Sequence, residues 1–340
     1  MKVKIGIVGC GLIAQIHAAA IQSLKNMELI GVCDVNLQIA NAFATSHSCR
    51  VYPDFLSMLS DPAVDAISLC VPPSLHLPLT KQAAAAHKHV IVEKPLTLTP
   101  AAAHEMIETC RNEGVLLCGI LQHRFDPLIR TLKDLWQSGI FGPLYLADVR
   151  VLWFRDDCYY EQASWRKMLE NGGVMLNQAI HYLDLIQYLA GDISTVNGTC
   201  RTLGHAIEPE DCVTATFEFE SGAIGTLEAA TVCYPGLFAE INLFARDGYI
   251  SMRNDQLISY ASKDGTIAQL EPYLHKKKTL NASARPECLN TSSHALELSN
   301  FADAIIGAAP LMVSGEESSR VLSLISAILK SSDEGTRICL

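Results

Sequence analysis

The chain has 340 residues, of which 49% are hydrophobic and 18% charged, with a formal net charge of −10. That length exceeds one ordinary core and implies two domains; the composition is globular, not disordered. No run of about 18 apolar residues is available to span a bilayer. With only Lys276-Lys277-Lys278 as a basic run, there is no patch for nucleic acid.

Val3–Val8 reads as a short strand that runs into a glycine turn rather than a small-residue cleavage site, so it makes a poor signal peptide. A helix is expected from Ile13 to Ser23, a strand at Leu29–Cys33, and a strand at Ala66–Val71 stopped by Pro72-Pro73. Helix Lys81–Ala86, strand His89–Val92, helix Pro100–Asn112 and strand Val115–Leu121 follow. Short apolar strands alternating with helices predict a parallel sheet covered on both faces, an α/β dinucleotide-binding (Rossmann) domain over residues 1–121.

Beyond Gly142-Pro143 the pattern changes. Leu144–Phe154, Cys212–Phe219, Ile224–Val232 and Glu240–Ala245 are longer and partly alternating, with turn signals at Glu220-Ser221-Gly222 and Arg246-Asp247-Gly248. A helix near Val174–Leu189 precedes most of them, and a helical pair near Ala295–Ile306 and Gly315–Lys330 closes the chain. This predicts an α+β domain over residues 122–340 with a large, mainly antiparallel sheet open on one face. An uncovered sheet exposes apolar area, so self-association into a dimer or tetramer is expected there. The 12 cysteines show neither a C-x-x-C pair nor zinc-like spacing, and read as reduced thiols of a cytoplasmic protein.

Gly9-Cys10-Gly11-Leu12-Ile13-Ala14 has the form G-x-G-x-x-A between a strand and a helix. Gly9 permits the tight turn, Gly11 lets the backbone approach a pyrophosphate, and Ala14 is small enough for helix–strand packing. The amides of Leu12 and Ile13 open the helix and present N–H groups to the anion. Asp34, at the end of the second strand, suits the ribose hydroxyls and repels a 2′-phosphate; no Arg or Lys follows in Val35-Asn36-Leu37, which favours NAD over NADP.

Glu93-Lys94-Pro95 follows a strand of the parallel sheet, where ligands bind. Lys94 there can exchange a proton with a substrate hydroxyl, although position alone fits a surface lysine equally well. On the buried helix, Asn177, His181 and Asp184 fall at i, i+4 and i+7, a polar stripe on one face. Such a stripe either hydrogen-bonds internally or lines a cavity. A metal reading rests on H-x-x-D alone, with no second His at ligand spacing, so no metal is expected.

With these residues the chain resembles the glucose-fructose oxidoreductase / inositol dehydrogenase / MocA family over nearly its whole length. E-K-P at 93–95 is similar to that family's signature, in which the lysine lies in the active site. Val71-Pro72-Pro73-Ser74-Leu75-His76 resembles the family's loop beside the nicotinamide, Gln122-His123-Arg124-Phe125 its segment leaving the first domain, and Trp165-Arg166 its W-R dipeptide near the nicotinamide. His181 stands where the family has a catalytic His. The N-Q-x-x-H form at Asn177 and Gln178, Tyr159-Tyr160, and Ile207-Glu208-Pro209-Glu210-Asp211 are similar to a narrower group, the WlbA-like UDP-N-acetylglucosaminuronate 3-dehydrogenases. The stretch Trp165–Asn171 departs from that group, being shorter and lacking a second Trp.

The resemblance implies an NAD-dependent dehydrogenase acting on a secondary alcohol of a sugar. Lys94 and His181 would be catalytic. Gly9, Gly11, Leu12, Ile13, Asp34, Val71, Pro72, Pro73, His76, Glu93, Lys94, Gln122, Trp165 and Arg166 would hold the cofactor. Lys94, Arg124, Tyr160, Asn177, Gln178 and His181 would hold the substrate. A polyol or free-sugar dehydrogenase, or a non-catalytic NAD-binding sensor, are the other readings.

Overall fold

The computed structural model describes residues 2–274 and 291–340; the Lys276-Lys277-Lys278 run lies outside them. The chain divides into two compact units, one of residues 1–125 and 289–320, the other of residues 126–288 and 321–340. No described helix is long and apolar enough to cross a membrane. The eleven cysteines among the described residues are free thiols.

The first unit holds β1 (Val3–Val8), α1 (Leu12–Ser23), β2 (Met27–Cys33), α2 (Leu37–His47), β3 (Arg50–Val51), α3 (Phe55–Leu59), β4 (Ala66–Leu69), α4 (His76–Ala85), β5 (His89–Val92), α5 (Pro100–Asn112) and β6 (Leu117–Gly119). Its six strands run in the order β3-β2-β1-β4-β5-β6. Every pair is parallel. This is the doubly wound Rossmann order, whose crevice lies at the carboxyl ends of the strands flanking the reversal, β1 and β4. The inner strands are buried on both faces, with Ile5, Ile7, Ile67, Leu69 and Ile91 inaccessible to solvent.

The second unit holds α6 (Pro127–Gln137), β7 (Leu144–Leu152), α7 (Asp157–Glu161), α8 (Ile180–Ala190), β8 (Ile193–Arg201), β9 (Cys212–Phe219), β10 (Ile224–Ala230), β11 (Phe238–Ala245), β12 (Gly248–Arg253) and β13 (Gln256–Ser262). After α9 (Thr291–Ile305) in the first unit, α10 (Gly315–Glu334) crosses the division at Arg320, and β14 (Ile338–Cys339) ends the chain. The eight strands run β13-β12-β11-β7-β10-β9-β8-β14. The β7–β10 pair is parallel; the other pairs are antiparallel.

The division is not the contiguous one expected from sequence, because residues 289–320 return to the first unit. Leu298, Phe301 and Ala302 of α9 are buried in one cluster with Ala14, Ala18 and Ile21 of α1. The open sheet face also differs from an apolar patch. Cross-strand rows place Thr226, Thr216, Asp148 and Asn242 together, then Glu228, Thr214, Arg150 and Glu240. Asn242 donates to Asp148 at 2.9 Å, and Arg150 donates to Glu228 at 3.1 Å. Ile224, Leu146 and Phe244 form one exposed apolar row on that face, and Phe238 in another row is half-buried beneath the Arg150 and Arg253 guanidinium groups.

Candidate active site

The glycine loop is built from β1, α1 and β2. Gly9 sits at φ +87°, and a Cβ there would lie 2.4 Å from the Cys70 carbonyl oxygen, so both backbone and space demand glycine. Gly11 caps α1 in an extended conformation with no side-chain partner for the free amides, and open space surrounds its Cα. Gly11 and Leu12 are exposed and Ile13 is half-buried. The result is an uncapped helix N-terminus with room before it, which fits the pyrophosphate of a dinucleotide.

Asp34 ties this loop to β2: Oδ2 accepts the Cys10 N–H at 2.8 Å, and Oδ1 accepts the Asn36 N–H at 2.8 Å. Two bonds leave carboxylate lone pairs for ribose hydroxyls. Gly9→Ala is expected to weaken NADH binding at least about tenfold, since the loop must shift to admit the methyl; an unchanged fluorescence titration would show that the loop does not carry the cofactor. Asp34→Asn is expected to cut the ratio of kcat/KM for NAD over NADP about tenfold, by removing the charge that repels a 2′-phosphate. Steady-state kinetics with both cofactors reads this directly.

Beyond β4, Val71 and Pro72 are half-buried and Pro73 is buried. His76 is fully buried and braces two turns, with Nδ1 3.0 Å from the Pro95 oxygen and Nε2 2.9 Å from the Val71 oxygen. Burial pushes its pKa down. Its ring thus supports the 71–73 loop and the turn after Lys94 from behind. Glu93 is likewise internal, at 5% exposure: Oε2 accepts the Lys94 N–H at 3.0 Å and Oε1 meets His17 Nε2 at 2.8 Å. Gln122 is buried and its Oε1 has no partner among the described residues, an acceptor available to a ligand. Arg124 is buried and paired with Glu317 at 2.8 Å.

In the second unit, His181 and Asp184 sit on α8 at i, i+3 and share a face. Both are buried, with Ile180, Leu183, Leu185 and Ile186 around them. The expected stripe is not regular, because Met175–Ala179 form a π-helical turn ahead of α8. The wider turn takes Asn177 out of the α-helical register, and its amide donates to the Gly172 oxygen at 2.8 Å. Gln178 donates to the Tyr159 hydroxyl at 3.0 Å. The Tyr160 hydroxyl is buried against Thr231 Oγ1 at 3.0 Å, and burial pushes its pKa up to about 12. Trp165 and Arg166 lie on a 3-10 turn, where the Arg166 guanidinium stacks on Tyr159 at 4.1 Å.

Sequence reasoning missed two supports. Glu210 accepts the Met175 N–H at 3.1 Å and so caps the turn leading to His181. The imidazoles of His17 and His294 both approach Glu93. Neither had a local signal, since these partners lie tens to hundreds of residues apart.

Residues 3–120 match the description "Oxidoreductase family, NAD-binding Rossmann fold", and residues 129–251 match "GFO/IDH/MocA C-terminal domain". The D-glucoside 3-dehydrogenase of Escherichia coli is 27% identical over 98% of this chain and 97% of its own. The WlbA dehydrogenase of Bordetella pertussis, solved with NADH and UDP-GlcNAcA, superposes with a TM-score of 0.88 at 28% identity over 100% of this chain and 99% of that one. Its counterpart from Chromobacterium violaceum, solved with the same two ligands, gives 0.90 at 28% identity over 100% and 96%.

Proposed function

The chain belongs to the GFO/IDH/MocA oxidoreductase family and is an NAD-dependent sugar oxidoreductase, and from that premise we propose that its substrate is a nucleotide-linked sugar, a UDP-N-acetylglucosaminuronate-like compound oxidised at C3. The observation that carries this reading is the end-to-end likeness to two dehydrogenases solved with NADH and UDP-GlcNAcA.

In this reading His181 takes the hydroxyl proton as general base. Lys94 donates a hydrogen bond to the same oxygen and stabilises the negative charge that develops on it. Asn177 and Gln178 orient the sugar through amides that donate and accept at once, and Tyr160 and Arg124 complete the substrate contacts. Gly9, Gly11, Leu12, Ile13 and Asp34 hold the adenosine and pyrophosphate end of the cofactor; Val71, Pro72, Pro73, Gln122, Trp165 and Arg166 flank its nicotinamide end, while the buried His76 and Glu93 brace the 71–73 loop and the Lys94 turn from behind without touching it. NAD, when bound, supplies the acceptor for the hydride that leaves the ring carbon.

The likeness to a D-glucoside 3-dehydrogenase over nearly the whole chain favours a second reading, an unlinked glycoside. A panel of UDP-sugars, glycosides and inositols, followed by NADH absorbance, decides between them. Turnover confined to glycosides or polyols would discard the nucleotide-linked substrate. The same proposal pairs two copies of the chain through the open sheet face of the second unit; a monomeric mass by light scattering at micromolar concentration would count against it.

A further inference from the structure

Behind the Glu93-Lys94-Pro95 turn lies a buried ionic cluster that the proposed chemistry does not use. His17 from α1, Glu93 from the end of β5 and His294 from α9 are 0%, 5% and 1% exposed. His17 Nε2 is 2.8 Å from Glu93 Oε1, and Nδ1 is 2.9 Å from the Ser68 hydroxyl. His294 Nε2 stands 3.8 Å from the same carboxylate oxygen, with the two imidazole rings edge to face at 5.7 Å. Both histidines address Oε1, which leaves Oε2 for the Lys94 N–H at 3.0 Å.

We propose that the His17–Glu93–His294 cluster is a positioning device for Lys94, fixing its turn through the Glu93 carboxylate. The inference rests on the reading of Lys94 as a group that touches the reacting oxygen.

A buried ion pair is poor value as a stabiliser, because apolar residues of the same volume do as well. Its use here is directional. Burial works against ionising Glu93, yet the hydrogen bond from His17 together with the charges of His17, His294 and Lys94 outweighs it and holds the carboxyl down at about 2. Burial likewise opposes charge on His17, and Cys70 and Glu93 reverse that and hold it well above the usual histidine range. The charge of Lys94 also favours ionised Glu93, and that attraction is mutual.

The groups facing Glu93 from its neighbours do not replace this charge. On β4 and just beyond it are Ser68 and Cys70, and on α4 is His76, which burial keeps towards the neutral form. On α9, burial pushes Glu297 up to about 8, which disfavours its charged form. Arg124 is paired with Glu317. Among these groups Glu93 is the carboxylate held ionised, at the residue next to Lys94.

The test is a double-mutant cycle on the full chain with NAD and the sugar that the panel identifies. Glu93→Gln keeps the shape and an acceptor for the Lys94 N–H but loses the charge. We expect kcat to fall about tenfold to a hundredfold and NADH affinity by fluorescence to change less than about threefold. In a Lys94→Ala background the same substitution should change kcat less than about twofold. Should Glu93→Gln fail to fold, His17→Gln is read in the same cycle. An equal loss in both backgrounds, or an unchanged kcat, overturns the inference and leaves Lys94 in its role. Near-wild-type turnover of Lys94→Ala alone overturns that role itself. A stoichiometric transition metal in the purified protein, whose removal abolishes activity, would assign the cluster to a cation and also overturn the inference.

Discussion

His181→Ala is expected to lower kcat by about 10²- to 10⁴-fold, with KM for both substrates changed far less. The reason lies in where the imidazole is held. His181 is the second residue of α8, a helix whose residues from Ile180 to Gln187 are all buried, so its backbone has little freedom to reposition another group in its place. The turn that delivers it is anchored by Glu210 at Met175 and by Asn177 at Gly172. Removing the ring leaves both anchors intact and a hole the size of imidazole. Added imidazole should therefore restore part of the lost turnover, a result that a purely structural role would not give. Near-wild-type turnover by His181→Ala, or a variant that added imidazole does not rescue, would remove His181 from the chemistry. Lys94→Ala should lower kcat by a comparable factor, and rescue by imidazole of His181→Ala alone separates the two roles.

What the sequence makes legible follows from how local the cause is. β1, β5 and α5 occur with the bounds expected, because an apolar run between turn signals, or Thr99 and Pro100 ahead of a periodic helix, specifies itself. The glycine loop is equally local: the G-x-G-x-x-A spacing and Asp34 lie within 26 residues, and the structure joins them through the Cys10 amide. β8 escaped notice because its sequence, ISTVNGTCR, carries small polar residues where a strand would show bulky ones. α2 escaped because Leu37 and Ile39 are exposed, which blurs its apolar face. The course of α9 is the clearest limit. Its pattern of Leu298, Phe301 and Ala302 announces an amphipathic helix, but periodicity does not say which surface the face meets, and it meets α1.

The same limit applies to the site. Lys94 was legible from its place after a strand, whereas its supports were not. His17 reaches Glu93 across 76 positions. Glu297 accepts the Leu121 N–H at 3.0 Å across 176. A histidine on an apolar helix face looks in sequence like any satisfied core histidine, and only the fold shows that its partner is the carboxylate beside the lysine. The π turn is a tertiary outcome of the same sort. An i, i+4 spacing from Asn177 to His181 assumes α geometry, and nothing in Met175–Ala179 signals the wider turn.

Glu297→Gln is expected to stabilise the protein, by an amount that grows with pH. Glu297 is 1% exposed and its Oε2 has no partner among the described residues. Burial pushes its pKa up to about 8 despite the Leu121 N–H on Oε1. The native state therefore keeps a proton that the unfolded chain, with an ordinary carboxyl near 4.3, releases. Between those values the unfolded state binds fewer protons, so stability falls as pH rises, by about 1.4 kcal/mol per unit. Across the window the loss is on the order of several kcal/mol. Glu93 works with the opposite sign and elsewhere: its depressed pKa gives stability that is complete above the unfolded value and lost as pH falls toward about 2. His17, raised, adds stability that is complete below about 6.5 and lost as pH rises through its folded value. Glutamine keeps an acceptor for Leu121 and never ionises, so it removes only the Glu297 contribution. The variant should melt close to the native protein at pH 4.5 and several degrees above it at pH 8. A difference in Tm that does not change between those two pH values would mean that Glu297 is not a neutral acid in the folded protein.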